Sequence, residues 1–94
     1  MIVERWTFIV KQGCWDKFAD LLKARRAQGG SNYRIYTCTF GTRSRMAIER
    51  EAESMADIEQ FWATWSKTPE AAAFTEQFNV LTEPGTIREI WTLE

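Results

Sequence analysis

The 94-residue sequence contains no histidine. That removes the commonest general base, the commonest metal ligand and the commonest haem ligand together. Cysteine is scarce. Cys14 and Cys38 stand too far apart for a metal-binding pair, and free thiols of a reducing compartment are the expectation. Basic excess is also missing: 12 Lys and Arg face 13 Asp and Glu, for a net charge of -1. A nucleic-acid partner held by electrostatics is therefore not expected. No apolar run approaches the ~18 residues needed to cross a bilayer, so no membrane contact is expected. The opening Met1-Ile2-Val3-Glu4-Arg5 lacks the charged start and apolar core of a signal peptide. The expected compartment is the cytoplasm, and no metal or cofactor is expected.

What is present is apolar and aromatic. Hydrophobic residues make up 45% and charged residues 27%, the profile of a folded domain, here expected to span 1–94. A chain of this length buries roughly 60–65% of its unfolded surface, enough for one core. The stretch Ile58 to Phe78 holds two of the five tryptophans and three of the six phenylalanines.

Taken in order, Ile2 to Lys11 predicts a strand. Ile2, Trp6, Phe8 and Val10, with Glu4 among them, share one parity, and Val3, Arg5, Thr7 and Ile9 share the other. Both parities carry apolar side chains, so both faces of this strand should be covered. Cys14 to Gln28 predicts a helix with Phe18, Leu21 and Leu22 near one stripe and Gly29-Gly30 as its stop. Ser31-Asn32 leads into a strand over Tyr33 to Phe40. A hairpin turn at 41–44 and a strand over Arg45 to Glu53 follow, the latter charged and expected to be exposed at its far end. Ser54 with Asp57 predicts a helix cap. Ile58, Phe61, Trp62 and Trp65 then fall at helical spacing. Thr68-Pro69 interrupts them, because proline is disfavoured inside a helix and favoured in its first turn. Thr68 is thus the expected cap of a second helical piece carrying Phe74 and Phe78. Pro84-Gly85 predicts a turn, and Thr86 to Glu94 the last strand.

This order, βαββαβ, is that of an α+β, ferredoxin-like split β-α-β repeat. Right-handed connections give a four-stranded antiparallel sheet in the order 4-1-3-2 with the helices on one face. The other face, with Val3, Arg5, Thr7 and Ile9, would meet water in a monomer. A homodimer closed sheet against sheet is expected to cover it.

The segment from Val3 to Gly13 resembles the opening strand of NIPSNAP-like proteins, in which a Glu precedes an alternating aromatic strand ending in Lys-Pro-Gly. Ile87 to Leu93, with its Glu-Ile-Trp, is similar to that family's last strand. Trp6 stands where such proteins often have Arg, and Gln12 where they have Pro. The wider group is the dimeric α/β-barrel superfamily, which includes cofactor-independent antibiotic-biosynthesis monooxygenases. The resemblance implies a dimer whose two sheets form a barrel, with a pocket in each subunit between sheet and helices. Because members range from quinol monooxygenases to proteins without known activity, it assigns no chemistry.

For the candidate pocket, the residue types point to Trp6, Phe8, Trp62, Trp65 and Phe74 as walls for a small hydrophobic or aromatic molecule, against the alternative of a plain aromatic core. Glu4 is placed near the pocket mouth, half-buried, either as a base or paired with Arg50 or Arg88. Tyr36, with Asn32, Tyr33 and Arg34, supplies residue types that hold phenols in cofactor-independent oxygenases. Arg43 and Arg45 flank the hairpin tip as solvated turn residues or as contacts for an acidic partner. The readings left open are a binding pocket, a monooxygenase of a phenol or quinol, and a non-catalytic structural dimer.

Overall fold

A computed structural model of the chain describes residues 1–28 and 32–94. Its elements are β1 (Ile2–Val10), α1 (Trp15–Ala27), β2 (Arg34–Thr37), β3 (Arg45–Ala52), α2 (Met55–Trp65), α3 (Pro69–Leu81) and β4 (Thr82–Thr92). The strands form one antiparallel sheet in the order β2-β3-β1-β4. This is the expected ferredoxin-like topology, with β1 flanked on both sides. The expected stop at Gly29-Gly30 and the start of the Ser31-Asn32 lead-in lie outside the described residues.

The helices cover the face that carries Glu4, Trp6, Phe8 and Val10. Phe8 and Val10 of β1, Phe18 and Leu22 of α1, and Met46 and Ile48 of β3 are its buried centre. Each such side chain contributes about 1.5–3 kcal/mol of transfer free energy. Tyr33 closes the core by donating its hydroxyl to the Leu22 carbonyl, which ties the approach to β2 onto α1.

The long aromatic stretch forms two helices, as the Thr68-Pro69 break requires. Ser54 is extended (φ -152°) and its Oγ accepts from the Asp57 amide at 3.3 Å, starting α2. Thr68 is extended too, and its Oγ1 accepts from the Ala71 amide at 3.2 Å with Pro69 opening α3. The same hydroxyl donates to the Trp65 carbonyl at 2.7 Å, so one side chain ends α2 and begins α3.

Three expectations need correction. β2 is shorter than Tyr33 to Phe40: it ends at Thr37, and Phe40 is fully exposed in the following loop. The far end of β3 is exposed at Glu51, as is Glu53 just after it, but Glu49 and Arg50 are buried among charge partners. Pro84-Gly85 is not a turn. β4 starts at Thr82, immediately after α3, and its pairing to β1 slips between Thr7 and Ile9, where residues 84–86 bulge. An edge strand tolerates proline because its outer amides need no partner, and a bulge accommodates the extra residues. Gly85 takes φ +113°, and a Cβ there would lie 2.8 Å from Ile9 Cδ1.

Candidate functional site: a ring-lined cavity with unmet donors

Two side chains from β1 and four from the helices form a closed circuit of rings. Trp6 meets Trp62 edge to face at 5.6 Å between centroids, Trp62 meets Trp65 at 5.5 Å, and Trp65 meets Phe74 across the helix break at 5.8 Å. Phe74 stacks on Phe78 at 6.0 Å, and Phe78 returns to Phe8 at 5.4 Å. Trp6 and Phe8 are neighbours on one face of β1, which completes the ring. All six line a cavity of about 240 Å³ that Arg25 also borders. The spacing of Trp62 and Trp65 on α2, and of Phe74 and Phe78 on α3, turns each pair toward the sheet.

Glu4 sits beside this cavity rather than at its mouth. It is fully buried. Oε1 accepts from Arg50 Nη1 at 2.7 Å, and Oε2 accepts from Trp62 Nε1 at 2.9 Å and from Arg88 Nε and Nη2 at 2.9 and 2.7 Å. The half-buried placement is thus corrected, and of its two readings the ion pair holds, with both arginines. The register explains it. Glu4 is opposite Arg50 on β3, and Arg88 on β4 is opposite Trp6, one diagonal step away on the same face. A carboxylate with donors on both oxygens anchors Trp62 and is no free base.

Arg25 is the charged residue that sequence reasoning did not bring to the site, where Ile48, Thr75 and Asn79 also line the cavity. It is 8% exposed, with its guanidinium 4.1 Å from the Trp65 centroid, 5.1 Å from Phe74 and 5.3 Å from Tyr33. Among the described residues, its Nε and Nη2, and Trp6 Nε1, are buried and have no hydrogen-bond partner. Leaving a buried donor unmet costs about 1–3 kcal/mol. Burial pushes the Arg25 guanidinium below its ordinary value, with Tyr33 and Glu4 opposing the shift. Burial likewise lowers Arg50, mainly against the pull of Glu4. Tyr33 rises through burial, opposed by the arginines around it. The signal for Arg25 was present: it lies seven positions after Phe18 and three after Leu22, on the apolar stripe of α1.

Tyr36 is corrected out of the pocket. It pairs with Ala47, which pairs with Thr7, so it lies on the open face of the sheet, while Ile35 opposite Ile48 takes the helix face. There Arg34 donates to its hydroxyl at 3.0 Å and Arg5 Nε donates to Glu49 at 2.6 Å. The group Asn32, Tyr33, Arg34 and Tyr36 is therefore split between two faces and forms no common site. Arg43 is exposed at the hairpin tip. Among the described residues, no His, Cys, Asp or Glu cluster could hold a metal ion. Among the described residues, no helix is long and apolar enough to cross a membrane.

A sheet with helices on one face, a helix pair broken over that sheet and a bulged last strand can be compared with solved structures. An uncharacterised NIPSNAP domain protein from Burkholderia xenovorans superposes with a TM-score of 0.79 at 18% identity, covering 100% of this chain and 95% of its own. A NIPSNAP family protein from Agrobacterium tumefaciens gives 0.86 at 18% identity, with 99% and 85% covered. The fold is that of the NIPSNAP-domain proteins. An antibiotic biosynthesis monooxygenase shares it at a TM-score of 0.70 and 10% identity, with 100% and 99% covered. No protein-family model and no curated protein matches the sequence. In this NIPSNAP-like fold the cavity lies between the helices and the Trp6 face of the sheet.

Proposed function

We propose that this protein binds a small aromatic molecule in the ring-lined cavity, as a cytoplasmic homodimer. The observation that carries the reading is the circuit of six rings around about 240 Å³ at the α2–α3 break. That volume suits a molecule of one or two rings. Binding sites of this kind are mostly apolar with few polar groups, and the rings supply edge-to-face and stacking surfaces. Free thiols at Cys14 and Cys38 suit a reducing compartment. The open sheet face supports the dimer: Ile87, Trp91 and Leu93 are 54%, 51% and 65% exposed beside Val3, Arg5, Thr7 and Ile9.

A catalytic form of the same reading is a cofactor-independent monooxygenase of a phenol or quinol. Its support is the antibiotic biosynthesis monooxygenase among the matched folds. Oxygen uptake with a panel of quinols tests that form, and no uptake across the panel counts against it.

The binding reading is tested by tryptophan fluorescence titration with neutral and charged one- and two-ring compounds. The expected result is saturable quenching by at least one of them that Trp65→Leu abolishes while the fold persists. If no compound perturbs the fluorescence, the cavity is unfilled core and the non-catalytic structural dimer is the better account.

A further inference from the structure

The unmet groups of the cavity are all donors. Arg25 Nε and Nη2 and Trp6 Nε1 point to one kind of missing partner, an acceptor. The charges say more. Arg25, Arg50 and Arg88 gather around one carboxylate, and Glu4 already holds Arg50 and Arg88. Among the described residues, Arg25 has no ion pair. Its free edge, Nε with Nη2, is the edge with which Arg88 grips a single carboxylate oxygen, Oε2 of Glu4, at 2.9 and 2.7 Å. The molecule thus contains its own example of what that edge holds. An aromatic bed for the guanidinium is also in place, with Trp65 and Phe74 against it.

We infer that the molecule taken up in the ring-lined cavity is an aromatic carboxylate. Its carboxylate docks on the Nε–Nη2 edge of Arg25, its ring lies among Trp65, Phe74 and Phe78, and Trp6 Nε1 is a further donor in the same cavity. This inference rests on the binding reading above and narrows it. Three guanidiniums against the one carboxylate of Glu4 leave the locality positive, which favours an anion, and a planar two-oxygen group matches the fork of Arg25. Entry follows from the lining: the exposed Thr75 and Asn79 of α3 border the cavity, which opens to solvent on that side.

Isothermal titration near neutral pH with two matched pairs, benzoate against benzamide and 2-naphthoate against 2-naphthamide, provides the test. Within at least one pair the acid should bind at least about tenfold more tightly than its uncharged amide, as a charge-assisted bidentate contact requires. In Arg25→Met that preference should fall to within about twofold while the amide still binds. Arg25→Lys, which keeps the charge but not the fork, should retain only part of the preference and serves where Arg25→Met fails to fold by circular dichroism. Equal binding of acid and amide in the unaltered protein, or a preference that survives both substitutions, overturns the carboxylate and leaves the aromatic cavity standing. If neither member of either pair binds, the cavity reading itself fails, and the carboxylate with it.

Discussion

Glu4 joins four elements through one carboxylate: β1 carries it, and Arg50 of β3, Trp62 of α2 and Arg88 of β4 donate to it. Removing one partner from a buried ion pair leaves charge without compensation and costs several kcal/mol. Glu4→Gln is expected to lower unfolding stability by about 3 kcal/mol, read from urea denaturation. A cost well under 1 kcal/mol would mean that the cluster is solvated. Glu49, on the opposite face, behaves differently. Burial tends to raise its carboxyl, but the hydrogen bond and charge of Arg5 outweigh this, and the net shift is downward from 4.5. A depressed folded value stabilises the fold above the ordinary carboxylate range, and that contribution is lost as pH falls through the folded value. The stability gap between the unaltered protein and Glu49→Gln should therefore be open at about pH 7 and should shrink as the pH falls below the ordinary carboxylate range. A gap that persists in acid would show that the substitution acts through packing. At this scale the sequence was partly legible. Parity placed Glu4 and Trp6 on one face, and the pairing of Glu4 with Arg50 or Arg88 was readable. Arg25 was not read, because an arginine in a last helical turn satisfies the helix dipole whether it faces water or rings. Only its spacing from Phe18 and Leu22 separates the two.

The elements were legible where capping chemistry is local. Thr68 begins α3 through its own hydroxyl, a contact visible in the order Thr-Pro. Thr68→Ala should cost about 1 kcal/mol from the lost cap. It should also loosen the α2–α3 break, since the same hydroxyl holds the Trp65 carbonyl. Thermal unfolding checks the first effect, and an unchanged melting temperature would contradict it. The last strand was misjudged for a physical reason. Pro84-Gly85 reads as a turn when only neighbours in sequence are considered. On an edge strand opposite β1 the same pair forms a bulge, with Gly85 at φ +113° beneath Ile9. Which of the two occurs depends on a strand 75 or more positions away, and no local pattern reports it. Tyr36 was lost in the same manner: its face is set by the register with Ala47, and thereby with Thr7, not by the residues beside it.

At the scale of the whole molecule, the sheet has one face under helices and one open. The open face carries Ile87 and Trp91, the latter with the Arg5 guanidinium 5.9 Å from its ring. Closing it against a second copy should double the solution mass from 11.0 kDa, measured by light scattering. Ile9→Lys should return the mass to that of one chain with the helical signal intact. An unaltered protein that scatters as a single chain at micromolar concentration would refute the assembly. The central claim concerns the other face, where six rings and an unpaired guanidinium frame an empty volume. It is tested most directly by the indole N–H resonances in a nitrogen-15 correlation spectrum, titrated with 2-naphthoate and with benzoate. Trp6→Phe identifies the Trp6 signal. The account predicts that the Trp6 indole N–H moves downfield and saturates with at least one of the two acids, while that of Trp62, already held by Glu4, moves little. A Trp6 signal that stays in place under saturating amounts of both would contradict it.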